Sequence, residues 1–302
     1  MRIRHYIHGK NNPQLVLALK KLKLTVKEKT IGSVGKNPPS HYFNCLIDDD
    51  HSLWPEVRQL CEELAIRIET GIEYSRQDIL AADWCLVNAI GSLDYPQPEK
   101  NFGYRSLTFD LTSYCPRCGI GRIQDRPYRL KPQKQPKRYH FFSPGWDHQS
   151  LFCTTEVQSL LQENRVSGTK FIHPVQNGNG SEIPFLVQIF PARELPSGII
   201  PLGQFAVDCE PNNQERWEPP ASAFWNQRPP YCGRTKYHVP YRTRLVHYKK
   251  ETFANAEDVV LSHEWFGSGG HAMQQVIVSR KFVSIALDKG LKGLEFSPVF
   301  YM

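Results

Sequence analysis

Long apolar stretches are missing from this chain: nowhere do about 18 apolar residues follow one another, the length a membrane-crossing helix needs. The N-terminus, Met1-Arg-Ile-Arg-His-Tyr-Ile-His, also lacks the apolar core and small-residue cleavage site of a secretory signal. A cytoplasmic protein that does not enter a membrane is the expectation. Cysteine is sparse: eight in 302 residues are too few for a disulfide scaffold, and only Cys115 and Cys118 are close neighbours. A reducing compartment fits this usage, with thiols serving metal binding or packing. Catalytic signatures are missing too. The glycines of His263-Glu-Trp-Phe-Gly267-Ser-Gly269-Gly270-His271 lack the Lys-Ser/Thr of a phosphate loop and miss the dinucleotide spacing, so this segment reads as a turn feeding a strand over 275–278. His263-Glu264 has no second histidine at zincin spacing, and no serine sits in a nucleophile elbow. A non-enzyme is expected.

What is present supports a folded chain of about two domains. Hydrophobic residues make up 40% and aromatics 12%, enough to build cores. The net charge of +7 is concentrated: Arg122–Arg138 holds seven basic residues and one acid, leaving +1 for everything else. Pro127, Pro132 and Pro136 keep that segment extended. It is either a solvated connector or a binding strip, and Arg129, Lys131, Lys134 and Lys137 are its candidate contact residues.

The fold class expected is α/β (α+β), with an N-terminal α/β domain over residues 1–100 and a second domain over 101–302. Ile3, His5 and Ile7 alternate as in a strand, Leu15, Val16, Leu19 and Leu22 follow helical spacing after Pro13, and a strand is expected over 42–47. Ser52 is placed to cap a helix whose apolar positions run Leu53, Val57, Leu60, Cys61, Leu64, Ala65, Ile68. A shorter helix is expected over 75–89, and the Pro/Gly/Asn-rich stretch 91–103 marks the boundary.

The second domain carries a weak duplication. Residues 152–171 align with 277–296 at a constant offset of 125, pairing Thr154 with Ser279, Val157 with Phe282, Leu160 with Ile285, Gly168 with Gly293 and Phe171 with Phe296. Each copy reads as a strand, a capping hydroxyl, a helix with apolar residues at i, i+3 and i+4, a glycine turn and a second strand, so two β-α-β-like units are expected.

Tyr114-Cys115-Pro-Arg-Cys118-Gly119 is the sharpest local motif. Cys-x-x-Cys-Gly aims two thiolates at one ion, while the glycine lets backbone amides curl toward sulfur. A partner half lies at Pro229-Pro-Tyr-Cys232-Gly233, with Pro229 where the first thiol of such a turn belongs. Structural zinc on Cys115, Cys118, Cys232 and a fourth ligand is expected. His238 is the first choice for that ligand, with Cys209, His140 and His148 as alternatives. Cys45, Cys61, Cys85 and Cys153 lie in apolar periodic settings and read as core residues.

These pieces together, namely Cys115-Pro-Arg-Cys118-Gly119, Val157-Gln-Ser-Leu160-Leu161 to Gly168, Cys232-Gly233-Arg234, and Val276-Ile-Val-Ser279-Arg-Lys-Phe282 to Gly293-Leu-Glu-Phe296-Ser-Pro-Val299, resemble the double Cys-x-x-Cys-Gly motif immunity proteins of bacterial toxin systems. The resemblance spans about 110–299, with one cysteine of the second motif lost. It implies a zinc-ribbon-containing protein that sequesters a cognate toxin stoichiometrically. The alternative, drawn from the residues, is a zinc-ribbon nucleic-acid binder in which the basic strip tracks phosphates and Tyr128, Tyr139, Phe141 and Phe142 stack on bases.

Overall fold

The computed structural model describes residues 1–10, 12–31, 40–66, 68–148, 150–200, 206–210, 230–238 and 245–302. It is a mixed α+β protein of two compact units. Among the described residues, no helix is long and apolar enough to cross a membrane.

The N-terminal unit runs β1 (Arg2–Lys10), α1 (Pro13–Lys21), β2 (Val26–Ile31), β3 (Ser40–Asp48), α2 (Trp54–Glu63) and β4 (Ile68–Glu73). Its sheet has the order β2-β3-β1-β4 with every neighbour antiparallel, the ferredoxin-like β-α-β-β-α-β topology. Alternation explains the layering: Phe43, Cys45 and Ile47 point inward beside Ile7, and the helices cover them with Leu15, Val16, Leu19, Val57 and Cys61. Asn12 caps α1 by accepting from the Leu15 amide at 3.1 Å, and Pro13 sits in its first turn. The expected long helix is shorter than its apolar spacing. α2 ends at Glu63, Ala65 takes a left-handed φ of 52°, and Ile68 begins β4. Leu53 rather than Ser52 precedes α2, without a side-chain cap.

The two units divide between Asp78 and Ile79 rather than within 91–103. The helix expected over 75–89 is only α3 (Arg76–Ala81), followed by the buried strand β5 (Trp84–Ala89). Cys85, Leu86 and Val87 are all buried, so both faces of β5 are covered and the run carries no strand alternation to read. The glycine-rich stretch is not a linker. A Cβ on Gly91 would lie 2.2 Å from the Phe141 carbonyl oxygen, the Leu93 amide donates to the Ser143 carbonyl, and Gln97 is buried.

In the C-terminal unit the duplication is structural. The upstream copy is strand Phe152–Thr154, helix Thr155–Glu163 and strand Thr169–Ile172; the downstream copy is Met273–Ser279, Arg280–Asp288 and Leu294–Tyr301. In each, the two strands flank one antiparallel strand: Leu186–Pro191 upstream, β5 downstream. Both are therefore split β-α-β units, but the central strand follows the first unit in sequence and precedes the second. Their helices bury Val157 and Leu161 in one copy, Phe282 and Ala286 in the other, into one shared core. The downstream unit lies in a seven-stranded sheet, whose hairpin Val259–Phe266/Met273–Ser279 carries the glycine turn expected over 267–270.

Candidate metal centre

The motif Cys115–Gly119 folds as a tight knuckle. The Gly119 amide donates to the Cys115 carbonyl and the Cys115 amide to the Ile120 carbonyl, both at 2.8 Å. Glycine is required at 119 on two counts: φ is +84°, and a Cβ would lie 2.5 Å from the Ala272 amide nitrogen at the base of the hairpin turn.

A second knuckle forms across an antiparallel pair. Strand Ala206–Asp208 pairs with Thr235–Tyr237 in the register Asp208↔Thr235, and just beyond it the Cys209 amide donates to the Arg234 carbonyl (3.0 Å) and the Gly233 amide to the Cys209 carbonyl (3.1 Å). This places Cys209 beside Cys232. The four thiols of Cys115, Cys118, Cys209 and Cys232 lie within 4.8 Å of one another, and the Cys118 and Cys232 sulfurs are 3.6 Å apart. Four sulfurs about 2.3 Å from one ion at tetrahedral angles would be about 3.8 Å apart. The set fits a tetrahedrally bound metal ion, and the separation is far beyond a sulfur–sulfur bond.

Three of the four expected ligands are thus brought together and the fourth is corrected. His238 is not in the cluster; it lies past the far end of Thr235–Tyr237, the strand leading away from Cys232, and Cys209 holds its place. His140 is engaged elsewhere, its Nδ1 with the Lys292 amide at 2.9 Å, and His148 is also outside the group. Pro229 lies outside the described residues. Cys45, Cys61, Cys85 and Cys153 are fully buried core residues.

The surroundings act on the thiols in two directions. Cys115, Cys118 and Cys209 are buried and packed by Ile120 and Ala272. Burial pushes the Cys118 and Cys209 thiols up. At Cys232 burial acts in the same direction but is outweighed by hydrogen bonds from the Arg234 side chain and backbone, which bring it down to about 7. Arg234 also spans the two knuckles, donating from Nη2 to the Ser113 carbonyl at 2.7 Å and the Ile120 carbonyl at 3.3 Å, and Arg117 lies 3.9 Å over the Tyr231 ring. Behind the first knuckle, Lys236 is 1% exposed and donates from Nζ to three carbonyls: Cys118 (2.8 Å), Gly269 (2.7 Å) and His271 (2.9 Å). A buried ammonium with all three protons on carbonyls locks the knuckle to the hairpin turn and places a positive charge behind the cluster.

The basic strip divides. Arg122 is buried and pairs with Asp147 at 2.8 Å, while Arg129 is half-buried in a short ladder with Val175–Gln176. Lys131 is exposed and reaches Glu99 at 3.4 Å, and Lys134, Lys137 and Arg138 are exposed. The aromatics expected to stack on bases face inward: Tyr128, Phe141 and Phe142 are 1%, 0% and 5% exposed, leaving Tyr139 half-buried. No protein-family model matches the chain, and no curated protein matches it significantly.

Proposed function

We propose that the tetracysteine centre holds a structural zinc ion and that the protein is an immunity-type binder that neutralises a cognate bacterial toxin one to one. The observation that supports the zinc half of this reading is the closed donor set, while the toxin-binding half rests on the resemblance carried by Cys115–Gly119, Cys232–Arg234 and the two duplicated units. Four protein thiolates complete a tetrahedron, so a metal held there has no position left for water or substrate and serves as a scaffold. Zinc suits the set because it is indifferent to ligand field and takes thiolates tetrahedrally. Four thiolates around a divalent ion leave a charge of −2, and Arg234 and Lys236 supply two positive charges beside it. The exposed cations at 134, 137 and 138 form a surface for an acidic partner.

Those same cations favour the nucleic-acid reading, while burial of Tyr128, Phe141 and Phe142 removes the stacking platform that reading needs. The two separate in a titration. If a neighbouring gene encodes a toxin, that toxin is titrated with the zinc-loaded protein, and protection is expected to be complete near one equivalent. Protection at far below one equivalent would overturn the binding reading. Salt-sensitive retention of single-stranded nucleic acid with no effect on the toxin would favour the alternative.

A further inference from the structure

The strands of the N-terminal sheet turn alternate residues to two faces, and α1 and α2 cover only one of them. Two cross-strand rows on the other face share one character. In the first, Tyr42 of β3 lies opposite Lys29 of β2 on one side and Lys10 of β1 on the other; in the second, Asn44 lies between Lys27 and His8. Lys10, Lys27, Lys29, His8 and Asn44 are exposed and Tyr42 is half-buried, while Leu46, the next outward position on β3, is 41% exposed.

Charge divides this face in two. Its acids, Asp48, Glu69 and Glu73, stand on the opposite half, where Arg4 meets Asp48 at 2.8 Å and Glu73 at 2.9 Å and His8 reaches Glu69 at 3.1 Å. Tyr6 belongs to that half: its ring packs against Gly71 and its hydroxyl donates to Glu73 at 3.3 Å. The two rows around Tyr42 and Asn44 hold no acid. Lys10, Lys27 and Lys29 have no ion-pair partner among the described residues. The sequence adds to this polarity, with nine Lys and Arg against the single acid Glu28 over residues 1–44.

Geometry then selects the partner. Neighbouring strands lie about 4.8 Å apart, so the backbones of Lys10 and Lys29 flank that of Tyr42 across about 10 Å. A base laid on the Tyr42 ring sends the phosphates on its two sides toward the two ammonium groups. An acidic peptide answers the lysines but offers no π face to the ring between them, whereas single-stranded nucleic acid alternates base and phosphate. The Asn44 amide both donates and accepts, so it suits a ribose 2′-hydroxyl, which deoxyribose lacks.

We infer that this half of the sheet face binds single-stranded RNA, with a base stacked on Tyr42 and phosphates on Lys10, Lys27 and Lys29. The site uses neither the segment 122–138 nor the metal centre, and it does not depend on toxin binding.

The test titrates the intact zinc-loaded protein into fluorescein-labelled octauridylate and reads anisotropy. A Kd on the order of 10 μM is expected, with a log–log salt slope of about −2 for three phosphates at about −0.7 each. Oligo-dT of the same length should bind at least about threefold more weakly and octaglutamate at least about tenfold more weakly. Replacing Lys10, Lys27 and Lys29 together with Thr, which suits strand positions, should weaken binding at least about tenfold and flatten the slope. Tyr42→Leu should cost about tenfold and Tyr42→Phe less than about twofold, because the phenyl ring still stacks. Changing Lys134, Lys137 and Arg138 to Ser should leave the affinity unaltered. Parent-like binding by the triple Thr variant would overturn the inference, whether or not Tyr42→Leu folds. So would loss of binding in the 134/137/138 variant, oligo-dT or octaglutamate binding as tightly as the RNA, or no saturation by roughly 1 mM protein.

Discussion

At the scale of the residue, Cys209 and His238 carry the clearest contrast. Cys209→Ser removes one of four thiolates and should release the metal at chelator concentrations the parent withstands, with several kcal/mol of stability lost, since metal binding to such sites is itself folding free energy. His238→Ala should keep one equivalent of metal; the check is elemental analysis after dialysis against a weak chelator. Reversed results would return the fourth position to histidine. The sequence held a signal for Cys209: with Cys45, Cys61, Cys85 and Cys153 in apolar periodic settings, and Cys115, Cys118 and Cys232 in the two Cys-Gly turns, one of eight thiols remains. Local spacing hid it, because Cys209 reaches Cys232 through a strand pairing across 23 positions.

His271 gives a second prediction at this scale. Burial, and then the charges of Arg122 and Arg105, push its imidazole down to about 3. The unfolded chain therefore binds a proton between about pH 6.5 and 3 that the folded chain refuses, so this group's contribution to stability is present above pH 6.5 and is lost as pH falls through that window. The slope from His271 approaches 1.4 kcal/mol per pH unit. His271→Gln should flatten the loss by that amount relative to the parent, a difference that cancels the thiolates because they titrate in both proteins. Parallel stability–pH curves would show that His271 is protonated in the folded state.

Among the elements, α2 separates periodicity from burial. Leu60 fits the apolar stripe as well as Val57 and Cys61 do, yet it is half-buried while they are fully enclosed. Val57→Asp should cost about 4 kcal/mol and Leu60→Asp about half of that, read by chemical denaturation of the N-terminal unit. Equal costs would mean that the stripe rather than the enclosure sets the penalty. The stripe also ran past the end of α2, because periodicity cannot register the backbone reversal at Ala65. The two split units offer a comparison within one molecule. After their helices, Arg165 and Gly290 occupy equivalent places, with φ of 52° and 62°. Arg165→Gly should stabilise by about 0.5 kcal/mol, relief of left-handed strain slightly exceeding the added freedom of the unfolded chain. Gly168→Ala and Gly293→Ala should each destabilise by about 2 kcal/mol, because a Cβ would meet the carbonyl oxygens of Val259 at 2.3 Å and Phe141 at 2.6 Å. Thermal melts decide all three.

At the scale of the whole molecule, the constant offset of 125 was legible because caps, apolar positions and turn glycines recur in order. Invisible to it was that each unit splits around a strand from elsewhere, β5 in one case, since strand insertion leaves no local pattern. The boundary was misplaced for the same reason: glycines and prolines in 91–103 record close backbone approach, which sequence alone reads as a linker. Long-range folding also reshaped the basic strip, drawing Arg122 into a buried ion pair and leaving Lys134, Lys137 and Arg138 outside. Replacing those three with Ser removes three charges from an extended, exposed segment, so folding stability should stay within about 0.5 kcal/mol of the parent. If the strip steers an acidic toxin, association should slow about tenfold at low salt while dissociation changes little, and the deficit should vanish as salt screens the parent's advantage. Stopped-flow association at two ionic strengths measures both quantities. A deficit confined to the dissociation rate would place these side chains inside the bound interface, and equal rates at both salts would make the segment a solvated connector.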